Sequence, residues 1–550
     1  MKAMSEYVLE VENLEVSYGS TPVLHDVSFT LAPGERLGIV GQSGSGKSTT
    51  VSAVLGLLAG NGRITQGRIR FAGEDITNAP DKAMRPLRGT RIALVPQDPM
   101  SNLNPTMRVG EQIADALRAY GMSDRAEIER SVVRLMTEAG IPDAERRRKQ
   151  YPHEFSGGMR QRILIAIALS GEPDLLVADE PTSALDVTVQ KQILDHLQKL
   201  VSERGTSLLF ITHDLGVAGD RTDTILVMHN GRVVERGTPR QVLLQPEDDY
   251  TQQLVAAAPK LTPLTGESTR VDAAAADAGS AADAASAAAV EPVVAVEDLT
   301  KIYRLRGAAG SVTAVDHVSF TADRGQTTAI IGESGSGKST IAKILLGLEE
   351  ATSGEVFLGG HPVRTKSRSE RRVLKRFAQP VFQDPYSSLN PAWSIGAIVA
   401  EPLNVFGIGT KAERKRRVAE LLDQVALPAD TIERHPSELS GGQRQRVAIA
   451  RAISSQPELL ICDEAVSALD VLVQEQILDL LQNLQAELGL SCLFITHDLA
   501  VVANFAQHVV VLQHGKLIET GETAQVIAHP AEEYTRRLIE AVPGEEFTHA

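Results

Sequence analysis

The chain has 550 residues, roughly twice the length at which a single hydrophobic core stops growing, so at least two domains are expected. Apolar residues make up 43% and charged residues 23%, a globular balance that excludes wholesale disorder, and a formal charge of −15 argues against a nucleic-acid binder. No run approaches the roughly 18 apolar residues of a spanning helix, and Tyr7–Leu9 is too short for a signal-peptide core, so the chain is expected not to cross a membrane by itself.

In chain order, the apolar run Leu37–Val40 reads as a buried strand. It leads into GQSGSGKST (Gly41–Thr49), which has the GxxxxGK[ST] pattern of a phosphate-binding loop. Gly41, Gly44 and Gly46 let the backbone curl so that successive N–H groups face an anion. Lys47 can reach β- and γ-phosphates, Ser48 can ligate Mg²⁺, and the helix expected over Ser48–Leu58 points its positive end at the charge. Ser43, Ser45 and Thr49 complete the loop. QDPMSNLNP follows at Gln97–Pro105, where Gln97 is expected to offer Mg²⁺ a neutral oxygen and to sense the γ-phosphate. FSGGMRQR (Phe155–Arg162) enters a helix expected over Arg160–Leu169. The strand-like run Leu175–Ala178 ends in Asp179-Glu180, a carboxylate pair at the tip of a parallel strand, where ligands bind in open α/β sheets. The aspartate is expected to hold Mg²⁺ and the glutamate to orient the attacking water. A further strand, Leu208–Thr212, precedes His213, expected to contact the γ-phosphate.

Between the halves, Val271–Val290 has twelve alanines in twenty residues and reads as a linker, with a short helix as the competing reading. The same series then returns, 284 to 291 residues further on: GESGSGKST at Gly332–Thr340, QDPYSSLNP at Gln383–Pro391, LSGGQRQR at Leu439–Arg446, CDEAVSALDV at Cys462–Val471 and FITHDL at Phe494–Leu499. Gly332, Ser334, Gly335, Ser336, Gly337, Lys338, Ser339 and Thr340 repeat the loop; Gln383, Asp463, Glu464 and His497 repeat the polar set. Ala329–Ile331, Leu459–Cys462 and Leu493–Thr496 repeat the strands. So long a period means a duplicated domain rather than a solenoid, and the expected boundaries are 1–262, a linker over 263–292, and 293–550. Alternating strands and helices imply a mostly parallel sheet covered on both faces, an α/β fold. Cys462 and Cys492 sit in apolar runs and form no CxxC pair, which points to two buried thiols and no iron–sulfur or zinc site.

Both halves resemble the nucleotide-binding domain of ATP-binding cassette (ABC) proteins, from about Val8 to Pro259 and from about Val293 to Pro543. The distinguishing mark is SGGQ, present as Ser440-Gly441-Gly442-Gln443 and, altered, as Ser156-Gly157-Gly158-Met159. The resemblance implies two P-loop NTPase domains, each with a helical subdomain, that pair within the chain and sandwich two ATP molecules head-to-tail with Mg²⁺. One site would join Lys47, Glu180 and His213 to Ser440, and the other Lys338, Glu464 and His497 to Ser156. It also implies that Tyr18 and Tyr303 stack on adenine, and that Asp186 and Asp470 lie in the loop by which the two sites sense each other. Glu180, His213, Glu464 and His497 are the implied catalytic residues. Met159 departs from the family pattern, as does Ala465-Val466 where the first copy has Pro181-Thr182. Both glutamates and both histidines are present, so two hydrolytic sites are expected, and the one using Ser156, which keeps its serine and both glycine amides, is expected to be retuned.

QDPMSNLNP and QDPYSSLNP, with DDYTQQLVAAAP (Asp248–Pro259) and EEYTRRLIEAVP (Glu532–Pro543), are similar to the oligopeptide/dipeptide/nickel uptake group of bacterial importers. The similarity implies a peripheral ATPase on the cytoplasmic face of the membrane. Its partners would be two transmembrane permease subunits and, indirectly, an extracellular substrate-binding protein. Peptide is the first choice of cargo, with glutathione-like peptides and nickel chelates behind it. The cysteine cluster of single-domain relatives is missing, in line with no iron–sulfur cluster. A soluble twin-cassette ATPase acting on ribosomes is the alternative, but Val271–Val290 lacks the basic, charged character such a linker would have, and no nucleic-acid partner is expected. The QDPxxSLNP resemblance speaks against an exporter. Trp393 reads as a packed aromatic and Lys366–Arg376 as a solvated charged face.

Overall fold

A computed structural model of the chain describes residues 6–182, 185–259, 261, 292–304, 310–467 and 469–544; Val271–Val290, read above as a linker, lies outside them. Two compact units divide the chain, the first formed by Met1–Ala258 with Asp470–Leu472 and the C-terminal residues from Pro543, the second by Pro259–Leu469 and Val473–Val542.

The described part of the first unit contains β1 (Leu9–Tyr18), β2 (Thr21–Leu31), β3 (Arg36–Val40), β4 (Gly62–Phe71), β5 (Glu74–Asp75), β6 (Ile92–Val95), β7 (Leu175–Asp179), β8 (Ser207–Ile211), β9 (Thr224–His229) and β10 (Arg232–Gly237). The central sheet runs in the order β10-β9-β3-β8-β7-β6 and is parallel except for β10, which pairs antiparallel with β9. Its inner strands are apolar at successive positions because both faces are covered. Leu175, Val177, Leu209 and Ile211 point into one core, while Leu176, Ala178, Leu208 and Phe210 join another that includes Leu194 and Leu197 of the helix Val187–Arg204.

A second sheet, β2-β1-β4-β5, is antiparallel and was not expected from the sequence. Its leading strand buries Leu9 and Val11 and then Leu14 and Val16, so the alternation slips by one. The register shifts between Val11 and Leu14, around Asn13 at φ 47°. A bulge of this kind hides the period of two from a reader of the sequence. The helices Val109–Ala119, Arg125–Glu138 and Gly157–Leu169 form the implied helical subdomain around Ile113, Leu117, Leu135, Met136 and Ile163.

The second unit repeats this plan. Its described strands are β11 (Val294–Arg304), β12 (Ser311–Ala322), β13 (Thr327–Ile331), β14 (Ser353–Leu358), β15 (His361–Pro362), β16 (Ala378–Val381), β17 (Leu459–Asp463), β18 (Ser491–Ile495), β19 (His508–Gln513) and β20 (Lys516–Glu522). They form sheets in the orders β20-β19-β13-β18-β17-β16 and β12-β11-β14-β15, beside the helices Ile395–Phe406, Lys411–Gln424 and Gly441–Ile453.

Two sequence readings need correction. The helix expected over Ser48–Leu58 is Lys47–Val54, because Gly56 takes up φ 62° and ends it. Trp393 is not packed: it is 42% exposed, on the turn that precedes Ile395–Phe406. Cys462 and Cys492 are buried on neighbouring strands with sulfurs 3.8 Å apart. Arg368–Phe377 buries Leu374 and exposes its arginines and lysine. Among the described residues no helix is long and apolar enough to cross a membrane.

Candidate functional site

Each unit carries its glycine-rich loop at the C-terminal end of the strand in the middle of the sheet, β3 or β13. Two glycines are obligatory there. Gly41 has φ 148°, and a Cβ on it would lie 2.2 Å from the Met228 carbonyl oxygen; on Gly332, at φ 147°, the same atom would meet the Leu512 carbonyl at 2.1 Å. Gly46 and Gly337, at φ 103° and 102°, precede the first helical turn in a conformation that L side chains rarely adopt. Ser43, Gly44 and Ser48 are exposed at the rim, Ser45, Gly46 and Lys47 are buried, and Thr49 is intermediate. Ser334, Gly335, Ser339, Ser336, Gly337, Lys338 and Thr340 follow the same pattern. The Lys47 ammonium donates to the carbonyls of Gly41 (2.6 Å) and Gln42 (2.9 Å), and Lys338 donates to those of Gly332 (2.6 Å) and Glu333 (2.8 Å). Burial lowers the pKa of Lys47 against the opposing pull of Glu180 and Asp179. A buried cation under a ring of loop amides is a cradle for an anion.

The catalytic candidates converge beside this loop. Asp179 ends β7, and Glu180 follows with φ 44°; Glu464, after β17, has φ 49°. Left-handed backbone at a glutamate is a strained choice of the kind that persists at functional sites. The Glu180 N–H bonds the Ile211 carbonyl at 2.9 Å, so the end of β7 is tied to β8 where His213 emerges. His213 Nδ1 lies 3.3 Å from Glu180 Oε1, and Gln97 Nε2 donates to Glu180 Oε2 at 2.8 Å. In the second unit His497 stands 3.6 Å from Glu464 Oε1, and Gln383 donates to Oε2 at 2.6 Å. Both oxygens of each glutamate are therefore held. The sequence placed these glutamines at the metal and the histidines at the γ-phosphate; the structure brings both onto the glutamate.

The electrostatics favour ions. Burial pushes Glu180 up, but the hydrogen bond and charge of His213, with Lys47 behind, outweigh it and hold the carboxyl below its usual range. Burial pushes His213 down, while Glu180 and Asp214 more than compensate and raise it. Glu464 is lowered chiefly by its hydrogen bond to His497, and His497 is raised in the same way as His213. Asp179 and Asp463 move the other way: burial and then the adjacent glutamate push them up, against Lys47 and Lys338. Asp463 Oδ1 is buried with no hydrogen-bond partner, and Ser339 bonds the same carboxyl. An unpartnered buried carboxylate oxygen beside a hydroxyl suits a hard cation. Among the described residues no three His, Cys, Asp or Glu gather as a metal cage, so the Asp463 and Ser339 oxygens of the second unit would form part of a coordination shell.

The signature segments begin helices. Ser156 accepts from Met159 N–H (3.4 Å) at the start of Gly157–Leu169, and Ser440 accepts from Gln443 N–H (3.3 Å) at the start of Gly441–Ile453. Gln443 returns the bond, its Oε1 accepting from Ser440 N–H at 3.0 Å. Met159 has no oxygen to return, and its sulfur lies 3.4 Å from the Arg147 guanidinium. Ser156, Gly157, Ser440 and Gly441 are exposed, whereas Gly158 and Gly442 are buried against Val189 and Val473. Asp186 caps Val187–Arg204 through Val189 N–H (3.0 Å), and Asp470 directly precedes Val471–Leu488. Tyr18 packs over Gly62, and the Lys301 ammonium lies 4.9 Å from the centre of the Tyr303 ring. None of these belongs to the Gln–Glu–His trio.

Three features escaped the sequence reading. Asp98 and Asp384 cap the short helices after the two glutamines, as Asp-Pro at a helix start signals. Arg451 on the second signature helix donates to the Ser388 carbonyl at 2.7 Å, and Ile167 occupies the matching place in the first unit. Tyr250 and Tyr534 touch the phosphate loops through their hydroxyls; the repeated DYT and EYT were the available signal.

The family described as "ABC transporter" matches residues 24–183 and 315–467, and "Oligopeptide/dipeptide transporter, C-terminal region" matches residues 518–548. The chain is 42% identical over 540 residues to the peptidoglycan transport ATP-binding protein YejF of Agrobacterium fabrum, spanning 97% of this chain and 96% of that one. It is 41% identical over 560 residues to the glutathione import ATP-binding protein GsiA of Salmonella choleraesuis, spanning 98% and 90%. A solved ATP-binding cassette dimer in a post-hydrolysis state with ADP and Pi shares 31% identity over 42% of this chain and 98% of that one, with a TM-score of 0.39.

Proposed function

The chain belongs to the ABC transporter family, and on that premise we propose that it is the ATP-hydrolysing subunit of a peptide importer with two working sites. The observation that carries this reading is the trio Gln97–Glu180–His213, repeated as Gln383–Glu464–His497, beside a lysine-bearing phosphate loop. Peptide-type cargo is supported by the match at residues 518–548 and by relatives named for peptidoglycan transport and glutathione import.

In each unit the loop amides with Lys47 or Lys338 bind the β- and γ-phosphates, and Tyr18 or Tyr303 meets the adenine. Glu180 or Glu464, kept ionised by its histidine, accepts the proton of the attacking water. The glutamine and histidine fix that carboxylate and, as the γ-phosphate arrives, exchange contact with it. Asp179, Ser48 and Gln97, and likewise Asp463, Ser339 and Gln383, would hold Mg²⁺, which when bound would neutralise phosphate charge. We assign the cassettes to 1–262 and 293–550, joined by 263–292. They pair so that Ser440 completes the site of Lys47 and Ser156 that of Lys338, with Asp186 and Asp470 between the sites. Closure on ATP and release after hydrolysis would drive two permease subunits from the cytoplasmic face of the membrane.

Reconstitution with two permease subunits in proteoliposomes tests this. ATP-dependent peptide uptake is expected, with Glu180→Gln and Glu464→Gln each lowering ATPase turnover by roughly a hundredfold. Recovery with ribosomes in place of membrane subunits would overturn the importer reading, and near wild-type turnover in either variant would remove that site from catalysis.

A further inference from the structure

The segments DDYTQQL and EEYTRRL, one closing each unit, have no part in the chemistry derived so far. Tyr250, on the helix Asp249–Ala257, accepts the backbone N–H of Gln42 at 3.0 Å. Tyr534, on Glu533–Ile539, accepts that of Glu333 at 3.2 Å. Both rings are buried, at 8% and 6% exposure, so neither bond is a surface accident. Gln42 and Glu333 are the first residues after the obligatory glycines. Their carbonyls already accept from Lys47 or Lys338 and from the Ser45 or Ser336 N–H at 3.1 Å. With the tyrosine on the N–H, both peptides flanking this residue are fixed: one turns its donor to the phenol, and the other turns its oxygen to the lysine that must meet the phosphates.

The tyrosine is itself held from behind. Glu235 on β10 accepts the N–H groups of Glu247 (3.1 Å) and Asp248 (3.2 Å) at the start of its helix. Glu519 on β20 does the same for Ala531 (2.9 Å) and Glu532 (3.3 Å). In the first unit the ring also stacks on His229, with centroids 3.8 Å apart. The edge strand, the helix start, the phenol and the loop thus form one continuous brace, built twice in the same order.

We infer that Tyr250 and Tyr534 are positioning residues that hold the phosphate loop, and with it the lysine, ready for the nucleotide, so that each C-terminal helix sets ATP affinity. The inference rests on the ATP sites proposed above. Neither residue touches the reacting atoms.

The test is nucleotide affinity in the full chain, read by titration with mant-ATP and competition by ATP, alongside thermal denaturation and kcat. Tyr250→Phe/Tyr534→Phe keeps both rings and removes both hydroxyls. The dissociation constant is expected to rise roughly fivefold, the scale of one lost neutral hydrogen bond, with kcat at saturating ATP within about twofold. Leu254→Ala/Leu538→Ala, which hollows the packing under the same helices, serves as the control: it is expected to lower Tm more and affinity less. Unchanged affinity in the tyrosine variant would overturn the inference, as would affinity losses that rank with the Tm losses. Failure of the wild-type chain to bind mant-ATP at all would instead sink the ATP-site reading.

Discussion

Glu180 and His213 are shifted in opposite directions, each toward its charged form, and the pH window follows from the signs. His213 is raised above its ordinary 6.5, so its contribution to stability is complete below that value and is lost as pH climbs through the raised one. Glu180 is lowered below 4.5, so its contribution is complete above that value and is lost as pH falls through the lowered one. The pair therefore stabilises the first unit most between about pH 4.5 and 6.5. Comparing Tm of the nucleotide-free wild type with Glu180→Gln from about pH 4 to 9 should show the largest gap inside that window and a closing gap above it. A pH-independent gap would mean the ion pair adds nothing. The acid–acid dipeptide after an apolar run singles out Asp179 and Glu180 from the sequence alone. It could not tell that Gln97 and His213 would share the second one, because 83 and 33 residues of chain separate them from Glu180 and only the parallel pairing of β6, β7 and β8 brings their strand ends together.

At the level of elements, strands buried on both faces announce themselves as apolar runs, and β3, β7, β8, β13, β17 and β18 were legible within one or two residues at either end. The antiparallel sheets were not, because a bulge breaks the alternation of β1 and the matching shift after Val296 breaks that of β11. The glutamine segments were legible as motifs, yet their attachments were not. In the second unit Arg451 joins the signature helix to the Ser388 carbonyl through a part-buried bond, and burial lowers the pKa of its guanidinium. Replacing it by leucine leaves the loop carbonyl without this donor while touching none of the proposed nucleotide contacts. Arg451→Leu is expected to keep ATP binding within about twofold and to reduce ATP-driven uptake several-fold, a split checked by mant-ATP titration against proteoliposome transport. Equal losses in both would mean that Arg451 supports the fold rather than the coupling.

For the whole molecule, the proposed exchange of signatures between cassettes makes a claim about which changes combine. Ser440→Ala and Glu180→Gln would strike the same composite site, so the double variant should turn over ATP no more slowly than Glu180→Gln alone. Ser156→Ala and Glu180→Gln would strike different sites, and their losses should add. Steady-state ATPase of the three single and two double variants decides it; the reverse pattern would place each signature in its own half's site. One difference between the signatures is the bond that Gln443 returns to Ser440 and Met159 does not. Were the halves separate identical subunits, any such change would appear twice in every assembly and both pockets would shift together. Covalent fusion fixes the stoichiometry at one of each, so every molecule is a built-in heteromer whose two fuel sites are free to diverge in rate without a second gene to keep them apart.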